Sequence, residues 1–196
     1  MSKLFAFTMA VAFVLGGTIG AVVLRVGHSA DDSTAALSNP RPGWTELQWP
    51  FPLDQWGKGK AYRCKPADCG TEVNLYLRAK IGFCNCVNGM ADDAELDRMT
   101  DLDLVGGKRS GGEVSPLGPG RPITVGHMKG RSRSYALTTG GPPGNTAIAV
   151  AFNDRCDMVV ATALLPRDRL AAIEPHVIAF LNSEAVLRWS EVALGL

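Results

Sequence analysis

The sequence predicts an α+β domain: an antiparallel sheet of about four to six strands with C-terminal helices packed on one face, behind a single N-terminal membrane helix. Three patterns carry that prediction. Residues 73–83 alternate, with Val73, Leu75, Leu77, Ala79, Ile81 and Phe83 apolar, which is the period of a half-buried strand. Leu170, Ile173, Val177, Ile178 and Leu181 recur at helical spacing. Residues 4–24 form an unbroken apolar run.

That run, "LFAFTMAVAFVLGGTIGAVVL", is 21 uncharged residues behind Lys3. At ~1.5 Å rise per residue it spans a hydrocarbon core of roughly 30 Å, whereas the apolar stretch of a cleavable signal is about 7 to 15 residues long. Positive charge at the short amino end predicts that this end stays in the cytoplasm and the remainder is exported. Cleavage after Ala30 is disfavoured by His28 two residues before it. Residues 25–43 then turn small and polar with two prolines, as a linker does. The globular domain occupies residues 44–196.

Trp44, Trp49, Phe51 and Trp56 crowd around Pro50 and Pro52, so the domain opens as an extended entry with a turn near residues 57–59. Such aromatic density marks an edge of the core, with a ligand platform as its functional alternative. After the alternating strand, Asp92 and Glu95 stand at capping-box spacing for a short helix. Residues 101–105 read as extended, and residues 106–122 as a long Gly- and Pro-rich loop. "PITVGHM", "SYALTT", "TAIAVAFN" and "DMVVATALL" follow as strand-like runs in an antiparallel meander. The helical tail is expected to break at Pro175 and restart after Ser183.

Composition narrows the function. With 20 basic against 19 acidic residues there is no excess of positive charge from which to build phosphate affinity, so nucleic acid is not an expected partner. The chain has no GxSxG, HExxH, SxxK, CxxC or CxxCH, and "GGKRSGG" lacks P-loop spacing. Of His28, His127 and His176, the first sits in the linker and the last follows Pro175 on a helix, so an envelope enzyme would have to centre on His127.

Cys64, Cys69, Cys84 and Cys86 lie within 23 residues, and Cys156 stands apart, either as the unpaired fifth or as a partner for one of the four. In an exported domain, closely spaced cysteines are normally disulfides; in a reducing compartment the same set would more readily bind metal. Cys84 and Cys86, two apart on an extended segment, face the same way and should look across to other cysteines. Spacing leaves the connectivity open. Closing a loop of roughly twenty residues stabilises a fold by about 3 kcal/mol in loop-closure arithmetic.

The metal alternative uses the same thiolates. CxxxxC followed by CxC offers four sulfurs, enough for zinc, and soft thiolates also select Cu(I). The segment "KIGFCNC" resembles the CxC segment of the copper-delivering cytochrome oxidase assembly factors, which are also single-anchor exported proteins, over about seven residues, with Asn85 inside the pair where that family carries an aromatic. The resemblance implies copper bound by Cys84 and Cys86, with His127 and Met128, and Met90, as further ligands. Lys129, Arg131 and Arg133 alternate, so an extended segment would present them on one face, to anionic lipid headgroups or an acidic partner, or as protective charge on an edge strand.

The expectation is therefore a single-pass protein of the bacterial inner membrane, held by residues 4–24, with a disulfide-supported periplasmic domain, or a secreted periplasmic form if the leader is cleaved. A non-enzymatic accessory or binding role, with an envelope protein as partner and no cofactor, comes first. The alternatives are a copper- or zinc-handling assembly factor built on Cys84 and Cys86, and an enzyme built on His127.

Overall fold

The computed structural model describes residues 43–82, 90–105, 113–138, 145–154 and 156–196. All belong to one compact unit, Ser38–Leu196. The predicted membrane helix over residues 4–24 and the linker up to residue 42 lie outside the described residues.

The fold is an α+β antiparallel sheet with several helices. Its strands are β1 (Trp44–Leu47), β2 (Lys60–Cys64), β3 (Val73–Lys80), β4 (Val114–Pro116), β5 (Arg121–Val125), β6 (Met128–Leu137), β7 (Asn145–Asp154) and β8 (Asp157–Pro166). The helices are α1 (Pro66–Cys69), α2 (Asp93–Met99), α3 (Leu102–Val105), α4 (Leu170–Leu181) and α5 (Glu184–Leu194). The sheet runs β1-β2-β3-β8-β7-β6, and β6 pairs β5 along one part of its length and β4 along another. Thus β3 and β8, distant in sequence, lie side by side at the centre.

Eight strands exceed the expected four to six, for two local reasons. "PITVGHM" is not one strand: Gly126 (φ +59°) and His127 turn it into a β5–β6 hairpin in which Val125 pairs Met128, and a two-residue loop with positive φ is the connection that suits strand twist. Val114–Pro116, expected as loop, pairs with β6. The capping box forms: Asp92 accepts from the Glu95 N–H at 2.8 Å, and the Glu95 carboxylate accepts from the Ala91 N–H at 2.8 Å. Residues 102–105 are helical rather than extended.

The strand sides separate two cores. Val73, Leu75, Leu77, Ile148, Val150, Phe152, Val159, Ala161 and Ala163 point to the face covered by α4 and α5. Their alternates, including Ala149, Ala151, Met158 and Val160, face α2 and α3. Helices on both faces explain why β7 and β8 read as nearly continuous apolar runs rather than clean alternations.

Pro175 lies inside α4 without ending it. An interior proline costs a helix roughly 3 kcal/mol, but Ile173, Val177 and Leu181 are buried on both sides of it and hold the helix to the sheet. The α4–α5 corner is fixed by Asn182, which accepts from the Gly126 N–H at 2.9 Å and donates to the Ile178 carbonyl at 2.9 Å. Helix α5 begins at Ser183 and ends at Gly195 in the left-handed region (φ +69°).

Candidate functional site

Cys64 ends β2 and Cys69 closes α1, and the two form a disulfide buried under the α4–α5 face. Lys65–Pro66 starts the helical turn between them, and Gly70 (φ +69°) ends it with its N–H on the Pro66 carbonyl. Cys156, for which the sequence left both a free thiol and a pairing open, is disulfide-bonded. Cys84 and Cys86 lie outside the described residues. Among the described residues, no group of three or more His, Cys, Asp or Glu side chains is placed to hold a metal ion.

His127 and Met128, read together as extra metal ligands, are separated by the hairpin: His127 is exposed in the turn, whereas Met128 is 2% exposed in the α4–α5 core. Met90 packs in the core beneath α2. Among the described residues, none makes a hydrogen bond or ion pair with His127.

Lys129, Arg131 and Arg133 do share one side of β6, but β6 is an interior strand and that side meets α2. Arg131 Nε donates to Asp93 at 2.5 Å, and Arg133 Nη1 donates to both oxygens of Asp97 at 3.0 and 2.8 Å. Asp93 also accepts from the Gly120 N–H, and that bond, with Arg131 and Arg133 alongside, holds its carboxyl below the usual value of 3.8. Tyr135 donates to Asp97 at 2.5 Å; burial first, and that acceptor second, push its phenol well above the ordinary range. The two arginines therefore tie a helix to the sheet, and only Lys129 of the three is exposed.

Two other places have the makings of a site. The first is a groove of about 510 Å³ at the α4–α5 corner, lined by Trp44, His176, Ala179, Phe180, Asn182 and Glu184. The indole of Trp44 stacks on Phe180 with ring centroids 4.7 Å apart at 19°, and Tyr62 meets the same ring edge-on at 4.9 Å. His176 Nδ1 is buried there with no hydrogen-bond partner. The aromatic entry predicted from sequence thus splits: Trp44 builds this groove, while Trp49, Phe51 and Trp56 cross to the opposite face.

The second place is beneath that crossing strap, residues 48–59. Trp49 and Phe51 pack edge-on against Tyr76 of β3, with centroids 6.2 and 4.9 Å away. Two residues further along β3, Arg78 is 3% exposed; two more, Lys80 is 6% exposed. Arg78 gives Nε to Asp101 at 2.9 Å, Nη2 to the other oxygen of Asp101, and Nη1 to Asp54 at 2.6 Å. Lys80 Nζ donates to the Met99 carbonyl at 2.5 Å, lies 3.0 Å from Asp101 and sits 5.8 Å from the centroid of the Trp56 ring.

Burial works against the charged guanidinium of Arg78, but its two carboxylate partners outweigh that and hold it more firmly protonated. Desolvation raises the Asp54 carboxyl, yet the Arg78 bond, the Trp56 N–H and the neighbouring positive charge outweigh it and leave Asp54 below 3.8. Neither Arg78 nor Lys80 stood out in sequence, because polar residues alternating with Leu77 and Ala79 look like the wet side of a strand. The available signal was Tyr76, Arg78 and Lys80 sharing one side opposite an aromatic, proline-rich loop.

No protein-family model matches the chain. No curated protein matches it either. Among solved structures, it is similar to the solution structure of cyanobacterial PsbP (CyanoP) from Synechocystis sp. PCC 6803, at 11% identity and TM-score 0.42, covering 71% of this chain and 78% of that one. It is also similar to PA94 from Pseudomonas aeruginosa, a protein of unknown function, at 10% identity and TM-score 0.41, covering 72% of this chain and 81% of that one. At these scores neither likeness bears on what the groove or the buried charges do, and their chemistry has to be read from their own residues.

Proposed function

We propose that this chain is a non-enzymatic accessory or binding protein of the bacterial envelope, anchored in the inner membrane by residues 4–24, with its domain in the periplasm holding a small, mainly apolar ligand in the Trp44–Phe180 groove. The groove itself carries the reading. Its volume of about 510 Å³ suits a small molecule, since such sites are concave, mostly apolar and of about 300–1,000 Å³, with a few polar groups to orient the occupant. Trp44 and Phe180 offer flat apolar surface, and His176, Asn182 and Glu184 supply polar atoms around it. The buried Cys64–Cys69 disulfide supports export, because such bonds persist in oxidising compartments.

The test uses the full chain in membranes and the neutral apolar fluorophore N-phenylnaphthylamine. Saturable fluorescence enhancement is expected, and Ala179→Arg, at an exposed position lining the groove, should abolish it without changing the melting temperature. Enhancement that survives this substitution would rule the groove out. An alkaline phosphatase fused to the C-terminus should be active, as only an exported fusion is; an inactive fusion of full length would overturn the periplasmic placement.

A further inference from the structure

The charges beneath the strap are not accounted for by the groove, which lies on the other face of the sheet. We propose that Arg78 and Lys80 form a carboxylate-binding centre, occupied in this structure by Asp54 of the chain's own strap, and that the carboxylate of a small organic acid binds there by displacing Asp54.

The charge arrangement is asymmetric. Two cations are buried side by side on β3, and a single carboxylate, Asp101, is buried with them, its side chain 8% exposed. The second counter-charge comes from outside: the Asp54 side chain is 37% exposed and contacts Arg78 only through Nη1. One buried carboxylate against two buried cations leaves an excess of positive charge, and that excess favours an oxyanion at Nη1, whether from the chain or from solution. Asp101 holds the inner edge of the guanidinium through Nε and Nη2, which fixes its plane and leaves Nη1 aimed outward. Such a pre-oriented guanidinium suits carboxylate recognition.

Two buried polar groups on this side of the sheet lack a hydrogen-bond partner. Thr162 lies opposite Tyr76 in the β3–β8 ladder, hence on the same side of the sheet as Arg78, is fully buried, and its Oγ1 has no hydrogen-bond partner. Trp49 Nε1, in the strap, is likewise buried and unpartnered. Buried polar groups without partners are uncommon, and an unfilled polar site is one cause.

The strap is held so that it can give way. Between β1 and β2 its residues make no strand pairing. Around Asp54 it is tied by the Trp56 N–H to Asp54 Oδ1 at 2.8 Å and by the Gly57 N–H to the Asp54 carbonyl at 3.0 Å. Leu53, beside the carboxylate, is 72% exposed and anchors nothing. Gly57 sits at φ +70° with open space where a Cβ would lie, a position at which the backbone can change course.

The experiment uses the full chain with sodium acetate as probe and sodium chloride at equal ionic strength as control. In Asp54→Ala, acetate should raise the melting temperature saturably and bind at least tenfold more tightly than to the unsubstituted protein, because Asp54 no longer competes for Nη1. In the unsubstituted protein, saturating acetate should speed hydrogen exchange at the Trp56 and Gly57 amides, the two that report the turn at Asp54. If acetate does no more than chloride for Asp54→Ala, Arg78 and Lys80 are not an anion centre and the proposal fails. If acetate binds the variant but leaves those two amides unchanged in the unsubstituted protein, Asp54 is a permanent counter-ion and displacement is refuted. The exchange measurement needs no variant, so it decides the question even if Asp54→Ala does not fold.

Discussion

Replacing Asp101 with Asn tests the energetics of the buried charges directly. The carboxylate is 8% exposed and meets three donors: Arg78 Nε at 2.9 Å, Arg78 Nη2, and Lys80 Nζ at 3.0 Å. An amide keeps one acceptor oxygen, turns an NH₂ group against two cations and removes the negative charge buried beside them. Charge-assisted hydrogen bonds contribute about 1.5–3 kcal/mol each, and leaving a buried charge without its partner costs about 3–5 kcal/mol. We expect a loss in that upper range, read from urea unfolding with the slope unchanged. For a domain of this size, about 2–4 °C per kcal/mol translates it into a melting temperature lower by roughly 6–20 °C. The triple variant Arg78→Met/Lys80→Met/Asp101→Leu should recover most of the loss, since apolar replacements of a buried ionic group are often neutral. A loss below about 1 kcal/mol for Asp101→Asn would show that water or a neighbouring group compensates, and would refute the account of Arg78, Lys80 and Asp101 as a desolvated charge cluster.

Three further outcomes follow from other parts of the fold. Gly130→Ala should destabilise by about 1–3 kcal/mol in the same urea assay, because a Cβ there would lie 2.4 Å from the Ala151 carbonyl oxygen and 2.7 Å from Phe152 Cβ; an unchanged midpoint would contradict the β6–β7 register. Cys64→Ala/Cys69→Ala opens a loop with a sequence separation of 5, for which loop-closure arithmetic gives a loss of about 2 kcal/mol, measurable as an equal shift between the variant and the oxidised protein. Asp54 and Asp93 both titrate below their ordinary value of 3.8 in the fold. The unfolded chain therefore takes up those protons first, so their contribution is complete above that value and is lost as pH falls from about 4 through the lower folded values. The urea midpoint should be flat from about pH 7 to 5 and drop below 4, and Asp54→Asn should make the drop shallower.

Much of the fold was legible because it rests on local rules. The alternation from Val73, the helical spacing of the tail and the Asp92–Glu95 capping box all describe how a segment satisfies its own backbone and presents one side. The misreadings also have local causes. Gly126–His127 passes for strand until β5 and β6 are seen to fold back on each other. Pro175 passes for a helix breaker until Ile173 and Val177 are seen buried on either side. The candidate sites were far less visible. His176 was set aside as a helix residue after a proline, yet it lines the groove, while His127, the stronger candidate by position, is in an exposed turn.

By itself the sequence determined the α+β class, the antiparallel meander and the alternation of β3, because period, capping and turn chemistry act within a few residues of one another. Only the tertiary structure decided what that alternation was for. Arg78, Lys80, Asp101 and Asp54 come from three separate stretches and become one charge cluster only when residues 48–59 cross β3 and the α2–α3 connection brings Asp101 to it. Trp44 and Phe180, at opposite ends of the domain sequence, meet because the side of edge strand β1 that carries Trp44 is the side of the sheet that α4 covers. A salt bridge or a stacked pair is defined by separation in space, and a linear pattern holds that information only where chain neighbours are also neighbours in space.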